Sequence, residues 1–210
     1  MIKVENIEVW GFANAIRGMR NPMNSWDKSD SWESDFTETT TRGFVVGKND
    51  LDLMKRLYKA GTEHRKYLRQ IFVFMDIVAP LYWWKEMDQY RINVTTNSCS
   101  TMHKIAAKEF APEDFSCEHL DYTTKMTLYA VISKLNIWRN VYNDSKCTDK
   151  DAWWQMIQLL PSSYNQRRTI TMNYENVMNI IKQRTGHKLD EWNDFVEILR
   201  DLPYIKEIRE

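Results

Sequence analysis

A chain of 210 residues is long enough for one sizeable domain with a proper core. Lys plus Arg and Asp plus Glu both total 29, so the net charge is zero, which argues against an electrostatic binder of nucleic acid or of a membrane surface. Cys99, Cys117 and Cys147 form no CxxC pair and are odd in number, which argues against a disulfide framework and for a reducing, cytoplasmic setting. The start, MIKVENIEVW, lacks the cationic and apolar runs of a leader, and no apolar segment reaches membrane-spanning length.

In chain order, Lys3 to Trp10 alternates apolar and charged residues and predicts a strand. Ala13 to Met19 suits a short helix stopped at Asn21-Pro22. The polar stretch Ser25 to Thr41 reads as a surface loop, long enough to be mobile or functional. Gly43 to Val46 suits a short strand. Asn49 or Asp50 then caps a helix with Leu51, Met54, Leu57 and Tyr58 on its apolar face. Gln70 to Val78 is an apolar run with Asp76 as its only charge, expected to be a buried strand. Pro80 opens a helix through Trp83, Trp84 and Met87.

Ser100 is placed to cap a helix over Thr101 to Phe110, and Tyr122 to Val141 forms a long amphipathic helix. Thr148 with Asp151 resembles a capping box before the helix of Trp153 and Trp154. Arg168 to Met172 suits a strand, and Asn173 caps a helix ending near Arg184 with Gly186 as its stop. Leu189 to Leu202 forms the last helix. The tandem pairs Trp83-Trp84 and Trp153-Trp154 are expected to put one ring each in the core and the other on a subunit contact. With no repeat or linker, residues 1–210 read as a single domain.

Three stretches share an order and spacing. Phe72 to His103 runs strand, Ala79-Pro80 turn, aromatic helix, Gln89-Tyr90-Arg91, eight residues, then Ser100-Thr101-Met102-His103. Leu159-Leu160-Pro161 leads through a strand to Asn173, Asn179, Arg184 and Trp192. Gly61-Thr62-Glu63-His64 leads into the first strand. This pattern resembles the flavin-dependent thymidylate synthases over roughly His64 to Asn97, Ser100 to His103 and Leu159 to Phe195. The resemblance implies an α/β fold, a small mainly antiparallel sheet flanked by long helices, assembled as a homotetramer. It implies FAD as cofactor, with NADPH and methylenetetrahydrofolate as further reactants, and reductive methylation of a dUMP-like pyrimidine nucleotide. The partners would be these small molecules and other copies of the chain, with no nucleic acid and no membrane.

By that resemblance, His64, Gln89, Tyr90, Arg91, Asn173 and Asn179 would hold the flavin. Glu86, Ser98, Ser100 and Arg184 would meet the nucleotide, and Arg91, Ser100 and Arg184 would form the catalytic set. The residue types suit such work, since a guanidinium offers planar charge-assisted bonds and an amide matches donor-acceptor edges. Each also has a plainer role: Asn173 as a helix cap, Arg184 as a favourable charge at a helix end, Arg91 as a surface cation.

The sequence departs from the family at several positions. Met102 and Ile157 or Gln158 replace phosphate-binding arginines, Gln89 and Tyr90 replace Arg and His, Glu86 replaces Gln, and Glu175 replaces Arg. Arg65, Lys66, Arg69 and Arg168 are new cations that would rebuild an anion pocket, or else form a solvated charge run. A non-catalytic relative that keeps the scaffold for binding or assembly is the alternative function. A thiol-imidazole pair of Cys99 and His103 is a weaker one. The histidines show no HxxxH spacing, so no metal site is expected.

Overall fold

A computed structural model of the chain describes residues 2–34, 41, 43–144 and 150–210. The sequence-expected cap at Thr148, and Cys147, lie outside the described residues, as does much of the second half of the loop from Ser25 to Thr41. Four strands, β1 (Lys3–Trp10), β4 (Phe72–Pro80), β5 (Thr95–Ser98) and β6 (Asn165–Asn173), form a small antiparallel sheet in the order β1-β4-β6-β5. Two short strands, β2 (Trp32–Glu33) and β3 (Phe44–Val45), pair antiparallel with Trp32 opposite Val45. The helices are α1 (Phe12–Arg20), α2 (Lys48–Lys59), α3 (Leu81–Met87), α4 (Thr101–Lys104), α5 (Tyr122–Asp144), α6 (Lys150–Leu159), α7 (Tyr174–Arg184), α8 (Asp190–Arg200) and α9 (Ile205–Arg209). The α/β class expected from the sequence is the one observed. Among the described residues no helix is long and apolar enough to cross a membrane.

The chain forms two compact units, each built from several stretches of sequence. The smaller unit comprises residues 1–3, 78–89 and 97–168, and the larger comprises residues 4–77, 90–96 and 169–210.

The larger unit holds α1, α2, α7, α8 and α9. Within its part of β4, Val73, Met75 and Ile77 are buried while Phe72 and Phe74 are exposed, the period-two pattern of a half-covered strand. Phe12 meets Tyr174 and Tyr204 edge-on at 5.7 and 5.4 Å between ring centroids, an arrangement aromatic quadrupoles favour. Gly11 joins β1 to α1 with φ +103°, and a Cβ there would lie 2.2 Å from the Gln70 carbonyl oxygen, so the turn requires glycine.

The start of α2 corrects the sequence reading. Its N-cap residue is Gly47, and the first-turn amides of Asn49 and Asp50 donate to the carboxylate of Asp30, 2.9 and 3.1 Å away. The cap arrives from a distant loop, which the local pattern around Asn49 could not reveal.

The smaller unit packs α5 and α6 around Ile105, Phe110, Phe115, Leu128, Ile132, Leu135 and Met156. Ser100 caps α4 as expected, accepting from the His103 amide at 3.2 Å. The helix expected to reach Phe110 stops at Lys104 instead. Amide side chains of α5 explain the stop: Asn136 accepts from the Phe110 N–H and donates to its carbonyl, and Asn143 donates to the Ala106 carbonyl. Those bonds satisfy backbone groups that a longer helix would otherwise pair. Trp83 and Trp84 are both fully buried, so neither is left for a subunit contact. Trp154 is the exposed member of its pair.

Candidate functional site

In the larger unit, α7 and the start of α8 surround Arg184. The Tyr90 hydroxyl accepts from Arg184 Nε (2.9 Å) and donates to Gln183 Oε1 (2.9 Å). The guanidinium lies 4.4 Å above the buried Trp192 ring and 5.5 Å from the Tyr90 ring, a cation–π sandwich. Its Nη1 is 3.1 Å from His187 Nε2, while the other imidazole nitrogen, Nδ1, accepts from the Leu189 N–H at 3.1 Å. Arg184 and Tyr90, both expected at the site, are therefore brought together, and they meet each other directly.

Asn173 is buried at the head of α7. Its side chain accepts from the Asn176 N–H at 3.0 Å while Asn176 answers to the Asn173 N–H, a reciprocal cap. Asn176 also donates to the Ile92 carbonyl at 2.9 Å, fixing the segment that follows the exposed Arg91. Asn179 is half-buried one turn further on, and among the described residues its amide has no hydrogen-bond partner. Glu175, in the family's arginine position, is paired with Arg65 at 2.7 Å, and the Arg65 guanidinium also lies 5.2 Å from the Tyr58 ring. One of the new cations thus neutralises one of the departures.

His64 lines the wall of a cavity of about 850 Å³ formed by α1, the segment after it, α2 and the turn at Lys66–Gln70. Lys28, Arg56 and Lys66 line it too, and among the described residues Glu63 is the one acid there. The wall is firmly built. Arg20, buried in a cavity wall, pairs with the fully buried Asp50 at 2.6 Å and donates to the carbonyls of Ser25 and Lys28. Burial alone would raise the pKa of Asp50. Hydrogen bonds from Ser31, Ser29, Arg20 and the Asp30 amide outweigh it and hold the carboxyl below its ordinary value. Tyr67 donates to the Met54 carbonyl at 2.9 Å, tying the turn that carries Lys66 to the helix that carries Arg56. Burial raises the phenol of Tyr67 well above its ordinary range, so it remains a donor. Arg69 turns away, to the Thr62 carbonyl at 3.2 Å.

In the smaller unit, Ser100 lines a second cavity, of about 330 Å³, with Cys99, Lys104, Lys108, Tyr164 and Arg167. The Asp114 carboxylate accepts a hydrogen bond from Lys108 and raises its pKa. Ser98 is exposed at the end of β5, Glu86 is half-buried, and Gln89 is exposed with its amide 3.4 Å from the Lys85 carbonyl. Arg168 is engaged locally: it binds Asp88 at 2.7 Å and Gln166 at 2.9 Å and lies 4.3 Å over Trp84. Buried Gln166 organises this region, donating to the Cys99 carbonyl and to Thr101 Oγ1 while its own carbonyl accepts from Trp84 Nε1.

Sequence reasoning missed Gln166, Lys28 and Arg56. Gln166 shares the face of β6 with Arg168, a signal the two-residue period offered. Lys28 and Arg56 lie in stretches where the family pattern is silent, so only three-dimensional placement groups them.

No family model matches the chain, and no curated protein does. Solved structures do. The flavin-dependent thymidylate synthase ThyX from Helicobacter pylori, complexed with FAD and dUMP, aligns with TM-score 0.66 at 16% identity, covering 99% of this chain and 97% of that one. The UMP/dUMP methylase PolB from Streptomyces cacaoi, bound with 5-Br UMP, aligns with TM-score 0.62 at 13% identity, covering 95% and 87%. The two neighbours carry the same expectation that the spaced motifs raised, and they carry it along nearly the whole chain: this protein has the fold of the flavin-dependent thymidylate synthases.

Proposed function

We propose that the protein is a flavin-dependent thymidylate-synthase-like enzyme that binds FAD and a pyrimidine nucleotide. The observation that carries the reading is the fold, matched over 99% of the chain to a synthase complexed with FAD and dUMP. Two features fit the cofactor. The cavity of about 850 Å³ falls within the usual size range of small-molecule sites, and His64, the flavin-side histidine of the resemblance, stands on its wall. Asn179 supplies a half-buried amide for a ring edge. When bound, a reduced flavin would supply the reducing chemistry for moving a one-carbon unit onto a pyrimidine.

The chain's own part is to hold and orient. Arg184 presents a fixed positive charge, and Tyr90 and Trp192 set its plane. Asn173 holds the first turn of α7, and Asn176 secures the loop after Arg91. Ser98, Ser100 and Glu86 are the smaller unit's nucleotide-side candidates, and Arg91 and Arg184 are the larger unit's candidates. The changes at Met102 and at Ile157 or Gln158 point to an altered nucleotide or pose, because each lost phosphate-binding arginine removes charge-assisted bonds worth roughly 1.5–3 kcal/mol. Assembly into a homotetramer belongs to the same reading.

One observation favours a binding-only relative instead: the face of Arg184 is stacked on Trp192. Adding FAD to the purified chain separates the two. A bound flavin spectrum, with release of the C5 hydrogen from dUMP or UMP under reducing conditions, is the expected result. A protein that takes up flavin without that release is the binding-only relative, and one that takes up none refutes both FAD readings.

A further inference from the structure

We propose that the larger unit's cavity is a binding site for a phosphate-bearing small molecule of nucleotide size, with Lys28, Arg56 and Lys66 as the residues that hold the anion. The three are exposed, and among the described residues none has an ion pair or side-chain hydrogen bond. They come from three separate elements: the segment after α1, α2, and the turn before β4. They face one cavity in which, among the described residues, Glu63 is the one acid on the wall. A net excess of cations on a concave wall concentrates potential where an anion would sit.

The placement is not incidental. Arg20 grips the Lys28 carbonyl at 3.0 Å and the Ser25 carbonyl at 3.1 Å, and its own charge is consumed by Asp50 at 2.6 Å. The buried pair therefore contributes rigidity and leaves Lys28 to supply charge. The Tyr67 bond to Met54 does the same for Lys66 and Arg56. Gln70, on the same wall, adds an amide within the cavity. Phosphate is the chemistry of choice because two ammonium groups and a guanidinium match a multiply charged oxyanion, and because the volume exceeds what a single inorganic ion fills.

The cavity is the one that the flavin reading gives to the cofactor, and the inference deepens that reading by naming three cations to which the family resemblance assigns no cofactor role. Calorimetric titration of the full chain with inorganic pyrophosphate, ADP and FAD tests it. ADP or pyrophosphate should bind, and binding should weaken as salt rises. Lys28→Gln, Arg56→Gln and Lys66→Gln should each weaken it about tenfold while Lys150→Gln leaves it unchanged, with circular dichroism reporting an intact fold. If FAD fails while ADP and pyrophosphate bind through these cations, the flavin reading falls and this one stands. If FAD binds with the three variants unaffected, the reverse holds. Binding of none of the three probes below millimolar concentration overturns the proposal.

Discussion

Two cationic regions of the larger unit handle charge in opposite ways. Around Arg184 the chain supplies every neighbour the guanidinium needs: a phenol, an imidazole, and the face of a tryptophan. Along the cavity wall, Lys28, Arg56 and Lys66 have no side-chain partner among the described residues, while the chain's effort goes into the buried Arg20–Asp50 pair behind them. The first region is organised for a fixed charge of set orientation, the second for capture of something from outside. A charge satisfied internally is a poor sole basis for affinity, because a ligand must replace bonds already made. The unpaired set has nothing to give up.

The largest expected effect comes from breaking the scaffold behind the unpaired set. Asp50→Ala would leave Arg20 buried without its counter-ion and release Ser29, Ser31 and the Asp30 and Ser31 amides, at a cost of roughly 3–5 kcal/mol. Thermal unfolding should show it, and ADP binding at the cavity should fall with it. The same group gives an acid signature. Its folded pKa lies below its unfolded value, so its contribution is full above the unfolded pKa and is lost as pH falls through the folded one. Stability of the parent chain should therefore drop as pH falls below about 4, and Asp50→Asn should lack that component of the drop.

Trp192→Ala tests the satisfied set. It removes a fully buried ring and the cation–π face under Arg184, for about 3 kcal/mol, the lower end of the usual range because Tyr90 and Arg184 can close part of the space. If Arg184 owes its order to the aromatic sandwich, the variant should weaken nucleotide binding by more than Lys66→Gln does. Equal weakening would erase the distinction between the regions.

The elements were legible where local physics decides them. The strand from Lys3 to Trp10, the cap at Ser100 and the cap at Asn173 all hold as read. Reading failed where a distant group intervenes. Asp30 caps α2 from across a loop, and Asn136 and Asn143 end α4 by taking up the Ala106 and Phe110 backbone groups. Neither signal exists in a window of ten residues. The same holds for function. Motif order pointed to Arg184 and His64, but the Arg65–Glu175 exchange and the convergence of Lys28, Arg56 and Lys66 are tertiary facts, legible only once the helices are in place.

Asn173→Ala is a smaller change than either. It removes the side-chain acceptor for the Asn176 amide and should cost about 1 kcal/mol. Because Asn176 also holds the Ile92 carbonyl, hydrogen exchange in residues 90–96 should quicken in this variant. Unaltered exchange there would mean that the loop after Arg91 is held by other contacts.

Tyr90→Phe is the mildest change and the one most specific to the comparison. The ring that stacks near Arg184 and Trp192 remains, and only the hydroxyl that receives Arg184 Nε and reaches Gln183 is lost. The site is half-buried, so the two bonds contribute about 0.5–1.5 kcal/mol together, and the folding midpoint should shift by only a few degrees. Nucleotide binding is the sharper readout. If the phenol orients Arg184 for a ligand, its loss should weaken nucleotide binding several-fold at almost unchanged stability. If the phenol holds Arg184 back from a ligand, the same variant should bind more tightly. Unchanged affinity would assign Arg184 to the stability of α7 and α8 alone, leaving the unpaired cavity cations as the larger unit's source of anion affinity.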